Sequence, residues 1–393
     1  AAVSYAHPNY LREAKAIPND PRYAQQWHYP LIDLDLAWDI TVDTHPSGAR
    51  VAVIDTGSLP QHPDLLGQFV GGYDFISSAG SSGDGDGIDA DPSDPGDGGD
   101  SSSSFHGAHV AGTVAAVSNN GLGVTGVAWK TDTKVVPLRV LGEFGGTTYD
   151  VVQAIRYAGG LSNDSGTTIA PVDVINLSLG GSGPCATSEQ QAFDEVRAAG
   201  VLVAVAAGND SSDAAGFSPA NCEGIYTVSA VDATRALAWY SNYGETIELA
   251  APGGDTSRDT DGDGYPDGVL STLADDSSSM LDYQYTFYQG TSMATPHLAG
   301  VLALMKSVNP LLTPAHIDVL IASGAISEDI GTEGKDPQFG WGLINARKAV
   351  AAAFEVGGEP PPPLLSVSPR QINLGTSYSQ AVLTARNAGS GAL

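Results

Sequence analysis

Residues 49–57 read ARVAVIDTG. Positions 51–54 are apolar without interruption, and three of the four side chains are β-branched. A strand with one wet face alternates apolar and polar residues, whereas an unbroken apolar run is the pattern of a strand covered on both faces. Working outward, similar runs occupy 134–141, 172–179, 201–207, 225–231 and 247–250. Helical patterns fall between and after them, at 106–117, 149–158, 188–199, 292–308, 314–321 and 344–354. Strand and helix alternating in this way predict an α/β fold, a doubly wound parallel sheet flanked by helices. In such sheets chemistry collects beyond the carboxyl ends of the strands.

The pattern stops after residue 354. Residues 357–363, GGEPPPP, read as a stiff Pro-rich linker. Residues 364–393 carry period-two runs but are too few for a stable sheet of their own. They are expected to open a β-sandwich-like domain truncated at residue 393; the alternative is an extension that docks on the main domain, residues 17–356. The 393 residues hold 45 acidic and 17 basic side chains, a net charge of −28. That excess repels nucleic acid and anionic membrane surfaces, so neither is an expected partner. No apolar run reaches the roughly 18 residues of a membrane span. The sequence opens AAVSYAHPNY, with neither Met nor an apolar leader, as a processed chain does. Two cysteines, Cys185 and Cys222, allow at most one internal disulfide and exclude a cysteine-built metal site. Charge is also concentrated: residues 84–100 hold seven Asp and no basic residue, and residues 255–267 hold five Asp against one Arg. Such loops ask for a counter-ion.

Three segments carry candidate chemistry. Asp55 ends the first apolar run, where a lone Asp is also an ordinary turn or capping residue. FHGAHVAGTVAAV, residues 105–117, puts His106 at a helix start with His109 one turn on; the stretch lacks the acidic partner of a zinc-protease signature, and His109 reads as structural. YQGTSMATPHLAGVLALM, residues 288–305, puts Ser292 in the first turn of a long apolar helix, where Ser is also a common cap. Taken together, Asp, His and Ser in this order on a parallel α/β domain match the subtilisin order of catalytic groups. On VIDTG (53–57), HGAHVAGT (106–113), SLGG (178–181), AAGND (206–210) and GTSMATPH (290–297), the chain resembles the subtilases, the subtilisin-like serine endopeptidases, over roughly residues 18–355. Ala108 departs from the family, which has Thr beside the catalytic His.

The resemblance implies a secreted, extracellular, monomeric enzyme that hydrolyses peptide bonds of proteins through an acyl-enzyme. Ser292 is the nucleophile, His106 its base, and Asp55 the group that orients the imidazole. It assigns the oxyanion donors to the Asn209 amide and the Ser292 N–H, the latter at a helix N-terminus. Substrate is expected as an added β-strand between Gly145, Gly146 and Thr147 on one side and Ser178, Leu179 and Gly180 on the other. The primary pocket is expected between Ser178, Leu179, Gly180 and Gly181 and Ala206, Ala207 and Gly208. Such small uncharged walls predict large apolar or aromatic residues before the cleaved bond. Tyr149 matches the position bordering a more distant subsite.

Calcium is the expected cofactor, at more than one site. DTDGDGYPDG, residues 259–268, spaces Asp259, Asp261, Asp263 and the Tyr265 carbonyl as in a calcium loop, with Asp267 as a completing ligand; position twelve is Leu270 rather than an EF-hand Glu, and a solvated acidic loop is the alternative. Asp84, Asp86, Asp89 and Asp91 form a second, less regular candidate. A third comes from the resemblance alone, on PNDPRYAQQW (18–27), QHPDL (61–65) and VSNNGLGVTGV (117–127): Asp20, Asp64 and Asn119 or Asn120, with carbonyls of Val117, Leu122 and Val124. A Cys185–Cys222 bridge would staple the loops around the primary pocket and contribute about 3 to 4 kcal/mol; two buried free thiols are the alternative. VSYAHPNYLREA, residues 3–14, resembles the last strand of the family's prosegment, a folding aid and inhibitor, so residues 1–16 read as its remnant or as an extended N-terminus. Two other readings stay open: a pseudo-protease serving as a binding module, and a subtilase dedicated to one maturation cut.

Overall fold

Each of the six apolar runs becomes a strand of one sheet. The structure, a computed structural model, describes residues 17–44, 48–98, 102–278 and 280–357, with two further strands at 365–368 and 384–387. In chain order the strands are β1 (Arg50–Asp55), β2 (Tyr73–Asp74), β3 (Lys134–Arg139), β4 (Val174–Leu177), β5 (Gly181–Ser182), β6 (Leu202–Ala206), β7 (Phe217–Ser218) and β8 (Tyr226–Val231). They continue as β9 (Ile247–Pro252), β10 (Val269–Asp275), β11 (Asp282–Tyr288), β12 (Ser327–Glu328), β13 (Leu343–Ile344), β14 (Leu365–Ser368) and β15 (Thr384–Asn387). The helices are α1 (His28–Leu31), α2 (Leu34–Thr44), α3 (Ala79–Ser82), α4 (His106–Ala115), α5 (Thr148–Ala158), α6 (Thr187–Ala198), α7 (Thr291–Val308), α8 (Pro314–Ala322) and α9 (Ala346–Glu355).

The central sheet runs β12-β13-β9-β8-β6-β4-β1-β3-β2. It is parallel except for the β12–β13 pair. Strand β1 lies inside the sheet between β4 and β3, with Ile54 level with Leu138 on one side and Leu177 on the other. Val51 and Val53 face a core built with α2, α4, α7 and α9, while Ala52 and Ile54 face a second core with α5 and α6. Two covered faces are the physical reason the run does not alternate.

A hairpin of β10 and β11, which the sequence analysis does not foresee, packs on α4. Ser271 Oγ donates to the His109 carbonyl at 2.7 Å and Thr272 Oγ1 to that of Ala108 at 2.8 Å. This approach depends on Gly112, where a Cβ would stand 2.2 Å from Thr272 Oγ1. Strands β14 and β15 pair antiparallel. Most of the expected linker and C-terminal region, like the prosegment-like residues 1–16, lies outside the described residues. Among the described residues, no helix is long and apolar enough to cross a membrane.

Candidate active site

Asp55 sits at the carboxyl end of β1, fully buried, and His106 opens α4. The two elements close on each other through Gly107, whose missing side chain matters because a Cβ would lie 2.4 Å from the Gly57 carbonyl oxygen. His106 Nδ1 lies 2.8 Å from Asp55 Oδ1, an oxygen that also accepts the Thr56 N–H at 2.8 Å. Burial would push the His106 pKa down, but the Asp55 charge and hydrogen bond, helped by Asp97 and Asp94, outweigh it and raise the pKa above its ordinary 6.5.

Ser292 is the second residue of α7. Pro296, four residues on, has no N–H to give the Ser292 carbonyl. That carbonyl instead accepts the Ser178 hydroxyl at 2.8 Å, which ties the start of α7 to the segment after β4. Ser292 Oγ donates to the Ser178 carbonyl at 3.1 Å. It lines the same cleft as His106, a cavity of about 1030 Å³. Asn209 follows β6, and its Oδ1 accepts both the N–H of Thr291 at 2.8 Å and the Thr291 hydroxyl at 3.0 Å. A backbone N–H can only donate, so the oxygen is held there and the amide nitrogen is left for the cleft. The Ser292 N–H, in the first turn of α7, has no partner within the helix.

The cleft is lined by Gly145, Gly146 and Thr147, by Ser178, Leu179, Gly180 and Gly181, and by Ala206, Ala207 and Gly208. Tyr149 is absent from that lining; it stands exposed on α5 and its hydroxyl bonds Asp164. Cys185 and Cys222 form the disulfide, 37 residues apart in sequence.

Among the lining residues that go unread in the sequence are Thr56, Asp97, Ser104 and Glu189. Thr56 Oγ1 donates to buried Asp94 at 2.6 Å and accepts the Gly107 N–H at 3.0 Å, joining β1 to α4 beside the Asp55–His106 pair. Burial pushes the Asp94 carboxyl up to about 6. Asp97 accepts the N–H and the hydroxyl of Ser104, each at 2.6 Å. Both Asp94 and Asp97 belong to the acidic run 84–100. A preceding apolar strand marks Asp55 in the sequence; these two carry no such mark.

The expected metal ligands fall into three groups. Asp84, Asp86 and Asp89 present carboxylate oxygens within 4.8 Å of one another, and so do Asp259, Asp261 and Asp263. Asp91 and Asp267 stand outside those groups: Asp91 accepts the Ser93 N–H, and Asp267 accepts the Thr260 N–H and hydroxyl. Asp84 also has a protein counter-ion, since Arg139 at the end of β3 reaches it at 2.7 Å and pairs with buried Asp74 as well. The third group is the most buried. Asp20 accepts the Asn119 and Asn120 N–H groups at 2.7 and 3.0 Å, and Asp64 accepts the Asn120 side-chain amide at 2.8 Å and the Val124 N–H at 2.9 Å. Of the two candidate asparagines, Asn120 therefore faces Asp64, whereas Asn119 Oδ1 accepts the Asn19 N–H. Two buried carboxylates outside every ion pair of the described residues form an oxygen-only donor set that suits a hard cation.

Comparison with known proteins follows this geometry. The "Extracellular protease" of Xanthomonas campestris pv. campestris is 42% identical over 360 residues, covering 88% of this chain and 58% of the relative. The "Extracellular basic protease" of Dichelobacter nodosus is 36% identical over 392 residues, covering 92% of this chain and 60% of the relative. The chain thus spans less than two-thirds of the length of these two relatives. A solved protease of Pseudoalteromonas arctica superposes with a TM-score of 0.76 at 44% identity, over 86% of this chain and 99% of that one. The model described as "Subtilase family" matches residues 46–342, and the chain belongs to that family.

Proposed function

We propose that the protein is an extracellular serine endopeptidase. The observation that carries this reading is the 2.8 Å contact of His106 Nδ1 with buried Asp55, with His106 lining the same cleft as Ser292. An amide carbonyl is a poor electrophile and a Ser hydroxyl a poor nucleophile, so a base must take the proton as the oxygen attacks. Ser292 Oγ turns from the Ser178 carbonyl to donate to His106 Nε2, a bond of the kind that tightens when substrate is bound. Asp55 holds the tautomer with Nδ1 protonated and stabilises the imidazolium. The Asn209 amide and the Ser292 N–H receive the oxyanion, and the imidazolium then protonates the leaving amine. Water repeats the sequence on the acyl-enzyme.

Substrate adds as a strand between residues 145–147 and 178–180, and the pocket beyond takes a large apolar or aromatic side chain. Calcium would be held by Asp20, Asp64, Asn120 and the carbonyls of Val117, Leu122 and Val124, with Asp84, Asp86 and Asp89 and the 259–265 loop as further sites. Bound there, it would supply positive charge that ties the N-terminal arm to the sheet. The prosegment is proposed as folding aid and inhibitor, and the enzyme as a monomer.

The test is hydrolysis of chromogenic tetrapeptides that differ in the residue before the cleaved bond, with Ser292→Ala and a serine-directed inhibitor as controls. The expected result is turnover abolished by both. Absence of Ser292-dependent turnover on every peptide overturns the enzyme reading.

A further inference from the structure

The expected pocket walls are small and uncharged, but a buried carboxylate also lines the cleft. Glu189, in the first turn of α6, is only 5% exposed and yet lines the cleft. Its Oε2 accepts the Ala186 N–H at 2.9 Å, which is the reach of an N3 Glu back to the helix cap. The same oxygen accepts the Ser218 hydroxyl at 2.8 Å. Capping does not account for this second bond, because Ser218 belongs to β7 and pairs with Gly181 of β5, the last residue of the wall segment 178–181. The disulfide between Cys185 and Cys222 brackets the same two loops.

A carboxylate offers about four acceptor positions, and two neutral donors on one oxygen leave much of that capacity unused. Burial of an ionised carboxylate is costly without a cation or further donors. Among the described residues no ion pair includes Glu189, and the cleft lining contains no Lys or Arg. In the free protein solvent in the cleft can donate to it, and once substrate fills the cleft the substrate is the remaining source of a donor.

We propose that Glu189 is a specificity-determining residue: the primary pocket takes long side chains along apolar walls and favours those whose tip donates a hydrogen bond or carries positive charge. This rests on the endopeptidase reading and deepens it. Phe and Leu still fit the walls; Tyr and Lys gain from the Glu189 carboxylate.

The test uses peptides alike except before the cleaved bond, in pairs of similar shape: Lys against norleucine, and Tyr against Phe. In the wild-type protein kcat/KM is expected to be higher for the donor-tipped member of each pair. Glu189→Gln keeps the capping hydrogen bond and removes the charge. It should cut the Lys/norleucine ratio by about tenfold or more and the Tyr/Phe ratio by less, with Phe turnover retained. A measurement without a variant guards against misfolding: benzamidine should inhibit the wild-type protein more strongly than neutral benzamide. Ratios that Glu189→Gln leaves unchanged, a wild-type preference for norleucine and Phe, or equal inhibition by benzamidine and benzamide overturns the proposal. Each of these outcomes requires turnover, so it is distinct from the Ser292-independent result that would end the enzyme reading.

Discussion

Asn209 can present a donor to the cleft only because Thr291 occupies its oxygen with two hydrogen bonds. Asn209→Ala is therefore expected to lower kcat by about a hundred- to a thousandfold while KM changes little, since the oxyanion exists only in the transition state. Steady-state kinetics on one peptide decides this; a change confined to KM would mean that the amide binds substrate and not the oxyanion. His106 makes the second residue-scale prediction. Its pKa is raised, and the base must be neutral to act, so the acid limb of kcat/KM should have its midpoint above the ordinary 6.5. The linked stability has the opposite sense. A raised folded-state pKa gives a contribution that is full below 6.5 and is lost as pH climbs through the folded value. A pH–rate profile with its limb below 6.5 would show that Asp55 does not outweigh burial.

At the scale of elements, α4 is held by what its glycines leave out. Gly112→Ala would put a Cβ 2.2 Å from Thr272 Oγ1 and 2.5 Å from Ser271 Oγ, forcing β10 away from the helix. The expected cost is about 1 to 3 kcal/mol, read as a lower midpoint in denaturant unfolding; an unchanged midpoint would mean the hairpin yields freely. This interface also marks the limit of legibility. The six central strands can be read because double burial makes their sequences uniformly apolar, and the three groups proposed as catalytic because each ends a strand or opens a helix. Strand β10 is equally buried, but it turns Ser271 and Thr272 to α4 carbonyls, so hydroxyls interrupt its apolar signal. Glu189 reads as one more polar residue of a helix start, and Asp94 as one more acid in an acidic run. Both owe their burial to segments distant in sequence, β7 and the end of β1.

Over the whole molecule, the net charge of −28 is unevenly answered. Arg139 neutralises part of the 84–89 cluster, whereas Asp259, Asp261 and Asp263 have backbone N–H groups, and Asp64 has neutral donors: a backbone N–H, an Asn amide and the Tyr285 hydroxyl. Excess chelator is expected to lower Tm, and Asp64→Ala to diminish that response, because an ion bound only by the folded state stabilises it by mass action. Differential scanning calorimetry with and without calcium tests this, and a Tm indifferent to chelator would refute a structural ion. The disulfide closes 37 residues and contributes about 4 kcal/mol by loop entropy. Its position has an effect that a stability figure omits. It joins the chain after β5 to the chain after β7, between the cleft-lining residues Pro184 and Ala186 on one side and beyond Ala220 on the other, while Asp55, His106 and Ser292 rest on β1, α4 and α7. Mild reduction should therefore leave titratable Ser292 in place while preference among residues before the cleaved bond fades. The chain's discrimination thereby becomes conditional on its surroundings: an oxidising exterior keeps it choosy, and a reducing interior would leave it reactive but indiscriminate.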